Sequence, residues 1–108
     1  MLEIASEPRG QTLVVSLTGR IDASSSRILQ EQVTEWIDSG LTHLVFNLNS
    51  MTYVSSAGLR VILLIAKKIK EVDGSIKLCA LTPAVKEVFD ICGFSGLFTV
   101  LPSVDEAL

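Results

Sequence analysis

One histidine, two cysteines, one tryptophan, one tyrosine and three prolines are all that 108 residues contain of those types. Ligating and nucleophilic groups are therefore scarce. His43 has no partner at metal-ligand spacing, and Cys79 and Cys92 belong to no C-x-x-C pair. No metal, cofactor or disulfide is expected, only two buried thiols. Positive charge is also short, nine Lys and Arg against twelve Asp and Glu, for a net charge of -3. That balance disfavours nucleic acid, which demands a concentrated basic surface. The basic cluster Lys67, Lys68 and Lys70 reads as the solvated face of one helix. The longest aliphatic run, Val61 to Ala66, falls far short of the ~20 residues that span a bilayer. The opening "MLEIASEPRG" has an acidic residue where a signal peptide needs basic ones, and no apolar stretch follows. The expectation is a cytoplasmic chain with no direct membrane insertion. With no linker-like segment and no internal repeat, residues 1–108 read as one domain.

What is present is apolar patterning. Hydrophobic residues make up 48% of the chain, enough for a self-sufficient core at this length. "TLVVSL" (12–17), "THLVFNL" (42–48) and "SIKLCAL" (75–81) read as strands. Between the first two, Ile28, Leu29, Val33, Trp36 and Ile37 recur at helical spacing, Ser24 or Ser25 is the expected cap, and Gly40 stands where a helix ends. A second helix is expected from Ala57 to Val72, burying Leu59, Ile62, Ala66 and Ile69. A third starts after Thr82-Pro83, buries Val85, Val88 and Phe89, and stops near Gly93. A short strand over 98–101 and a last turn from Ser103 close the chain. Residues 2–6 are expected to pair antiparallel with 12–17 through the turn at Pro8-Arg9-Gly10. The fold class is thus α/β with a mixed β-sheet.

The stretch "YVSSAGLRVILL" (53–64) places two hydroxyls at the mouth of an apolar helix. A nucleophilic serine needs a general base within hydrogen-bond reach. His43 begins a strand, so it belongs at the opposite end of the sheet from Ser55 and Ser56. Val54 stands where G-x-S-x-G needs its first glycine, and neither a P-loop nor G-x-G-x-x-G occurs. No catalytic site is expected. A serine at a helix N-terminus is, however, a comfortable place for a phosphate, because the first N–H groups are unpaired and carry partial positive charge. The plainer reading is a cap, worth ~1 kcal/mol. Ala57 and Gly58 are small and leave the serine uncovered. Arg60 lies one turn on, either in reach of a phosphate or simply exposed. Leu64 falls on the polar side of the helix with Arg60, Lys67 and Glu71.

"SLTGRIDA" (16–23), "LVFNLNSMTYVSSAGLRVI" (44–62), "DGSIKLCALTPAVKEVFDICGF" (73–94) and "SVDEAL" (103–108) resemble a STAS domain of the anti-sigma factor antagonist type. The resemblance covers nearly the whole chain. It implies a mixed sheet with helices packed mainly on one face. It also implies a serine at the start of the second helix that a partner Ser/Thr kinase phosphorylates. That kinase has the histidine-kinase-like ATPase fold and doubles as an anti-sigma factor; a PP2C-type phosphatase removes the phosphate. The unmodified antagonist binds the kinase and frees its target, and the phosphorylated one lets go.

The family motif is D-S-S/T/A-G-L. Laid over "SSAGL", Ser55 takes the place of the aspartate, Ser56 that of the acceptor and Ala57 that of the tolerant third position. Ser55 remains a minor alternative acceptor. The resemblance makes Asp22 a residue that engages the kinase. Asn47 stands at a frequently acidic position, with a backbone-satisfying role at a strand end as the plainer reading. The expected partner surface comprises Asp22, Ser55, Ser56, Ala57, Gly58, Arg60 and Leu64. Family members that serve membrane transport or signalling assemblies without phosphorylation supply the alternative.

Overall fold

The computed structural model describes residues 2–93, 96 and 98–108. In chain order the elements are β1 (Leu2–Arg9), β2 (Thr12–Ile21), α1 (Ala23–Asp38), β3 (His43–Val54), α2 (Ser56–Glu71), β4 (Ser75–Cys79), α3 (Pro83–Ile91), β5 (Thr99–Leu101) and α4 (Val104–Ala107). The sheet keeps this order, β1-β2-β3-β4-β5. β1 pairs antiparallel with β2, Leu2 facing Gly19 and Arg9 facing Thr12, and the remaining neighbours are parallel.

Strands laid down in one direction by right-handed crossovers send their connecting helices to one face. Accordingly Leu29, Val33 and Ile37 of α1, Leu59, Ile62, Ile65 and Ile69 of α2, and Val85 and Phe89 of α3 share one core with Leu13, Val15, Leu17 and Ile21 of β2. Among the described residues the other face is covered by α4, where Ala107 and Val104 meet Val14, Val45 and Cys79. The expected α/β fold, with a mixed sheet and helices mainly on one side, is the observed one.

β2 and β3 run further than their apolar runs suggest. From Ser16 to Thr18 the partner strand advances from Asn47 to Ser50, and from Gly19 to Arg20 it advances from Met51 to Tyr53. β3 therefore carries one extra residue at each step, making two bulges within "NLNSMT" (47–52). Side chains support the displaced backbone. Asn47 Oδ1 accepts from the Asn49 N–H at 3.1 Å, Thr52 Oγ1 donates to the Gly19 carbonyl at 3.0 Å, and Thr82 Oγ1 donates to the Met51 carbonyl at 3.0 Å. Asn47 thus satisfies backbone, though in mid-strand rather than at a strand end.

The expected core and helix caps differ in several details, and Ala66 and Val88, both expected to be buried, are half-buried at the edge of the core. Ile28 is 60% exposed, because the buried stripe of α1 runs through Leu29, Val33 and Ile37, one residue out of phase. Cys79 is buried, but Cys92, at the C-terminal cap of α3, is exposed. Thr82 precedes Pro83 at the start of α3, yet its hydroxyl bonds Met51 rather than capping the helix. Gly40 follows the α1 cap residue Ser39 with φ 98°, the left-handed conformation that ends helices. The phase of α1 is testable with neighbouring substitutions. Leu29→Ala should cost ~2–5 kcal/mol of unfolding free energy by denaturant titration, and Ile28→Ala less than about 1 kcal/mol. Equal losses would contradict the assigned face.

Candidate functional site

β2 and β3 end together, with Ile21 facing Val54 in the ladder, and the Ser55 N–H donates to the Ile21 carbonyl at 2.8 Å. One residue beyond this junction each chain enters a helix. Asp22 is the N-cap of α1 and Ser55 the N-cap of α2, so two helix N-termini open side by side at the carboxyl edge of the sheet. Neither helix has an acidic residue in its first turn, which leaves the positive end of both dipoles uncompensated from within the helix.

The capping residue of α1 is Asp22, not Ser24 or Ser25. Asp22 Oδ1 accepts from the Ser25 N–H, the Ser25 hydroxyl and the Ser24 hydroxyl, each at 3.0 Å, and the Asp22 N–H donates to Ser25 Oγ at 2.9 Å. Ser25 therefore completes a reciprocal capping box at the third helical position, where it is buried. Its hydroxyl also lies 3.1 Å from the Arg20 carbonyl and has one proton to share between the two acceptors. The Ser25 N–H, then the Ser25 and Ser24 hydroxyls, stabilise the charged carboxylate and hold its pKa down at about 2. Asp22 Oδ2 receives no hydrogen bond from the described residues.

The two serines of the second loop differ. Ser55 is half-buried in extended conformation, and its Oγ accepts from the Gly58 N–H at 3.1 Å. Ser56 is the first residue of α2, exposed, with no side-chain hydrogen bond to a described residue. The cap is Ser55; the unencumbered hydroxyl is Ser56.

Of the other expected residues, Ala57 is half-buried and Arg60 is exposed one turn beyond Ser56, with no ion pair to a described residue. Gly58 is buried rather than presented at the surface. A Cβ there would lie 2.6 Å from Ile21 Cγ2 and 3.2 Å from Val54 Cγ1, so its smallness lets α2 sit down on the ends of β2 and β3. Leu64 is 43% exposed two turns further along α2, where it lines a cleft against α1 with Gln30, Thr34 and Lys68. The structure joins Asp22, Ser55 and Ser56 at one rim and leaves Leu64 beyond it. His43 begins β3 and bonds Ser75, with Nδ1 to Oγ 2.9 Å, at the opposite end of the strand.

One feature of the rim has no motif in the sequence. Arg20 and Tyr53 are cross-strand partners, and the guanidinium carbon lies 4.6 Å from the ring centroid. Only the bulge at Thr52 puts Tyr53 opposite Arg20.

Two measurements test this geometry. Asp22→Asn keeps the capping oxygen and removes the charge. The folded pKa lies below the ordinary 3.8, so the charge stabilises the fold above that value and stops doing so as pH falls toward about 2. The thermal midpoint of the wild type should exceed that of Asp22→Asn near neutral pH, and the gap should close across that acidic window. A gap independent of pH would contradict the charge argument. Gly58→Ala should destabilise by ~1–3 kcal/mol despite the better helix propensity of alanine, because Ile21 and Val54 must move; a more stable variant would show that the contact yields freely.

Residues 3–107 match the STAS domain family. BtrV of Bordetella bronchiseptica, assigned as an anti-sigma factor antagonist, is 39% identical over 95 residues, 88% of this chain and 82% of BtrV. The anti-sigma F factor antagonist of Paenibacillus polymyxa is 32% identical over 105 residues, 96% of this chain and 87% of that relative. The anti-sigma factor antagonist SpoIIAA in its unphosphorylated form has the same fold, with a TM-score of 0.85 at 22% identity, covering 97% of this chain and 92% of that one. The Bacillus cell fate determinant SpoIIAA in its phosphorylated form gives 0.77 at 20% identity, covering 99% and 96%. STAS anti-sigma factor antagonists are non-enzymatic regulatory binding proteins. By sequence over nearly its full length, and with a fold that agrees, the chain belongs to the STAS domain family, among the anti-sigma factor antagonists.

Proposed function

We propose that this chain is a phosphorylation-switched antagonist that, unmodified, binds a Ser/Thr kinase acting as an anti-sigma factor and so releases that protein's target. Phosphorylation of Ser56 ends the interaction. The observation that carries the reading is the division of labour between two adjacent hydroxyls. Ser55 is held in the cap of α2, whereas Ser56 is exposed at its first position with no side-chain hydrogen bond to a described residue. The names of the relatives, and the existence of SpoIIAA in both phosphorylated and unphosphorylated forms, support the same reading.

The chemistry asks little of this chain. Ser56 Oγ forms a new bond to the γ-phosphorus of ATP, ADP leaves, and the hydroxyl proton passes to a base on the kinase. The kinase is of the histidine-kinase-like ATPase fold, and a PP2C-type phosphatase hydrolyses the phosphoserine. The product places about -1.5 to -2 charges at the N-terminus of a 16-residue helix whose first turn holds no acid, so the fold tolerates it. What changes is the rim. With Ser55 in place of an aspartate, a neutral pair of hydroxyls becomes a dianion beside Asp22, whose Oδ2 is open to a partner. Ala57, Arg60 and Leu64 extend that contact, and Gly58 contributes by seating the helix. No described helix is long and apolar enough to cross a membrane, and a cytoplasmic location fits a partner of this kind.

The test is mass spectrometry after incubation with ATP and the kinase from the same cell. Phosphate should appear on Ser56, persist in Ser55→Ala, and vanish in Ser56→Ala. Ser55→Ala should lose ~1 kcal/mol of stability with its cap. Ser56→Asp should weaken kinase binding, and Ser56→Ala should not. Phosphate on Ser55 instead, or equal binding by Ser56→Asp and Ser56→Ala, would overturn the switch.

A further inference from the structure

We propose that the Arg20–Tyr53 pair is a second docking element of the partner surface, built to receive a carboxylate from the same kinase/anti-sigma factor. The proposal rests on the reading of Ser56 above and adds both a surface and the charge of what meets it.

Both residues are exposed, Tyr53 at 43%. Each stands one position before the Ile21–Val54 junction from which the Asp22 and Ser55 loops spring. The pair is therefore fixed to the same framework as the acceptor. It lies at the same edge of the sheet, on strand positions that alternate away from the helix-covered core. Its geometry is imposed: the extra residue of β3 puts Tyr53 opposite Arg20, and Thr52 Oγ1 anchors that bulge to the Gly19 carbonyl at 3.0 Å.

Stacking on the ring orients the guanidinium and reduces the side-chain freedom lost on binding, while its N–H edge remains available. Among the described residues no carboxylate pairs with Arg20. A rigid, unpaired guanidinium fork matches a carboxylate in two-point geometry. Arg60 adds a second cation on the α2 side of Ser56. On a chain of net charge -3, this edge sets two exposed cations, Arg20 and Arg60, beside one carboxylate, Asp22, a balance that favours an acidic group on the partner. Exposed Arg and Tyr are also the residue types that concentrate binding energy in protein interfaces.

The experiment measures the affinity of the purified kinase that phosphorylates Ser56 for the unmodified full chain and for Arg20→Gln, Arg20→Lys and Tyr53→Leu, with Ser56→Asp as reference and thermal unfolding as a check on folding. Arg20→Gln and Tyr53→Leu should each weaken binding about tenfold or more. Arg20→Lys, which keeps the charge and loses the planar fork, should fall between. Wild-type affinity should drop with salt more steeply than that of Arg20→Gln. Affinities of both variants within about twofold of wild type, with Ser56→Asp still weakened, would overturn this element and leave the phosphorylation switch standing. Weak Arg20→Gln binding with an unaffected Ser56→Asp would keep the element and remove the switch. A lower unfolding midpoint for Arg20→Gln with unchanged affinity would assign the pair to fold stability and overturn the proposal. Failure of the unmodified wild type to bind the kinase would remove both.

Discussion

The junction where β2 and β3 end carries the rest of the molecule's working edge. Ile21 and Val54 are paired in the ladder, Ser55 bonds back to the Ile21 carbonyl, and Gly58 rests against both side chains. A helix set down this closely has no room for a side chain at its third residue unless Ile21 and Val54 shift. The helix therefore begins two residues earlier, at Ser56, and its first hydroxyl lies outside the contact. Ser56 is exposed and Gly58, two residues on, is buried.

The two loops at this edge solve the same problem with different residues. Each helix needs an acceptor for its leading N–H groups. α1 uses the carboxylate of Asp22 and the buried hydroxyl of Ser25; α2 uses only the hydroxyl of Ser55. A neutral cap on α2 leaves its dipole without a charged counterpart, so a phosphate arriving on Ser56 meets no carboxylate from its own loop. Asp22 serves two ends at once. Oδ1 holds α1 and Oδ2 takes no hydrogen bond from the described residues, so the residue that the family resemblance assigns to recognition is also part of the scaffold.

Much of the fold was legible because it depends on local pattern. Apolar alternation and 3.6-residue periodicity located the cores of β2, β3, β4, α1, α2 and α3, and Thr82-Pro83 and Gly40 marked helix ends through backbone chemistry that needs no tertiary partner. The position of Ser56 at the start of a helix was legible from the residues around it. Residues whose state depends on distant neighbours were not. Ile28 and Leu29 are equally apolar, and only the packing of α1 on the sheet buries one and exposes the other. Asp22 outcompetes Ser24 and Ser25 as the cap because β2 continues to Ile21, which sets where α1 starts.

The order and type of the elements, the placement of His43 at the opposite end of its strand from the serines, and the helix-terminal position of Ser56 are consequences of sequence alone, since each depends on residues close along the chain. Tertiary structure decided the two bulges of β3, the burial of Gly58, the capping role of Ser55 and the stacking of Arg20 on Tyr53. These depend on register and contact between β2, β3 and α2, and a one-residue change in pairing turns a side chain to the opposite face.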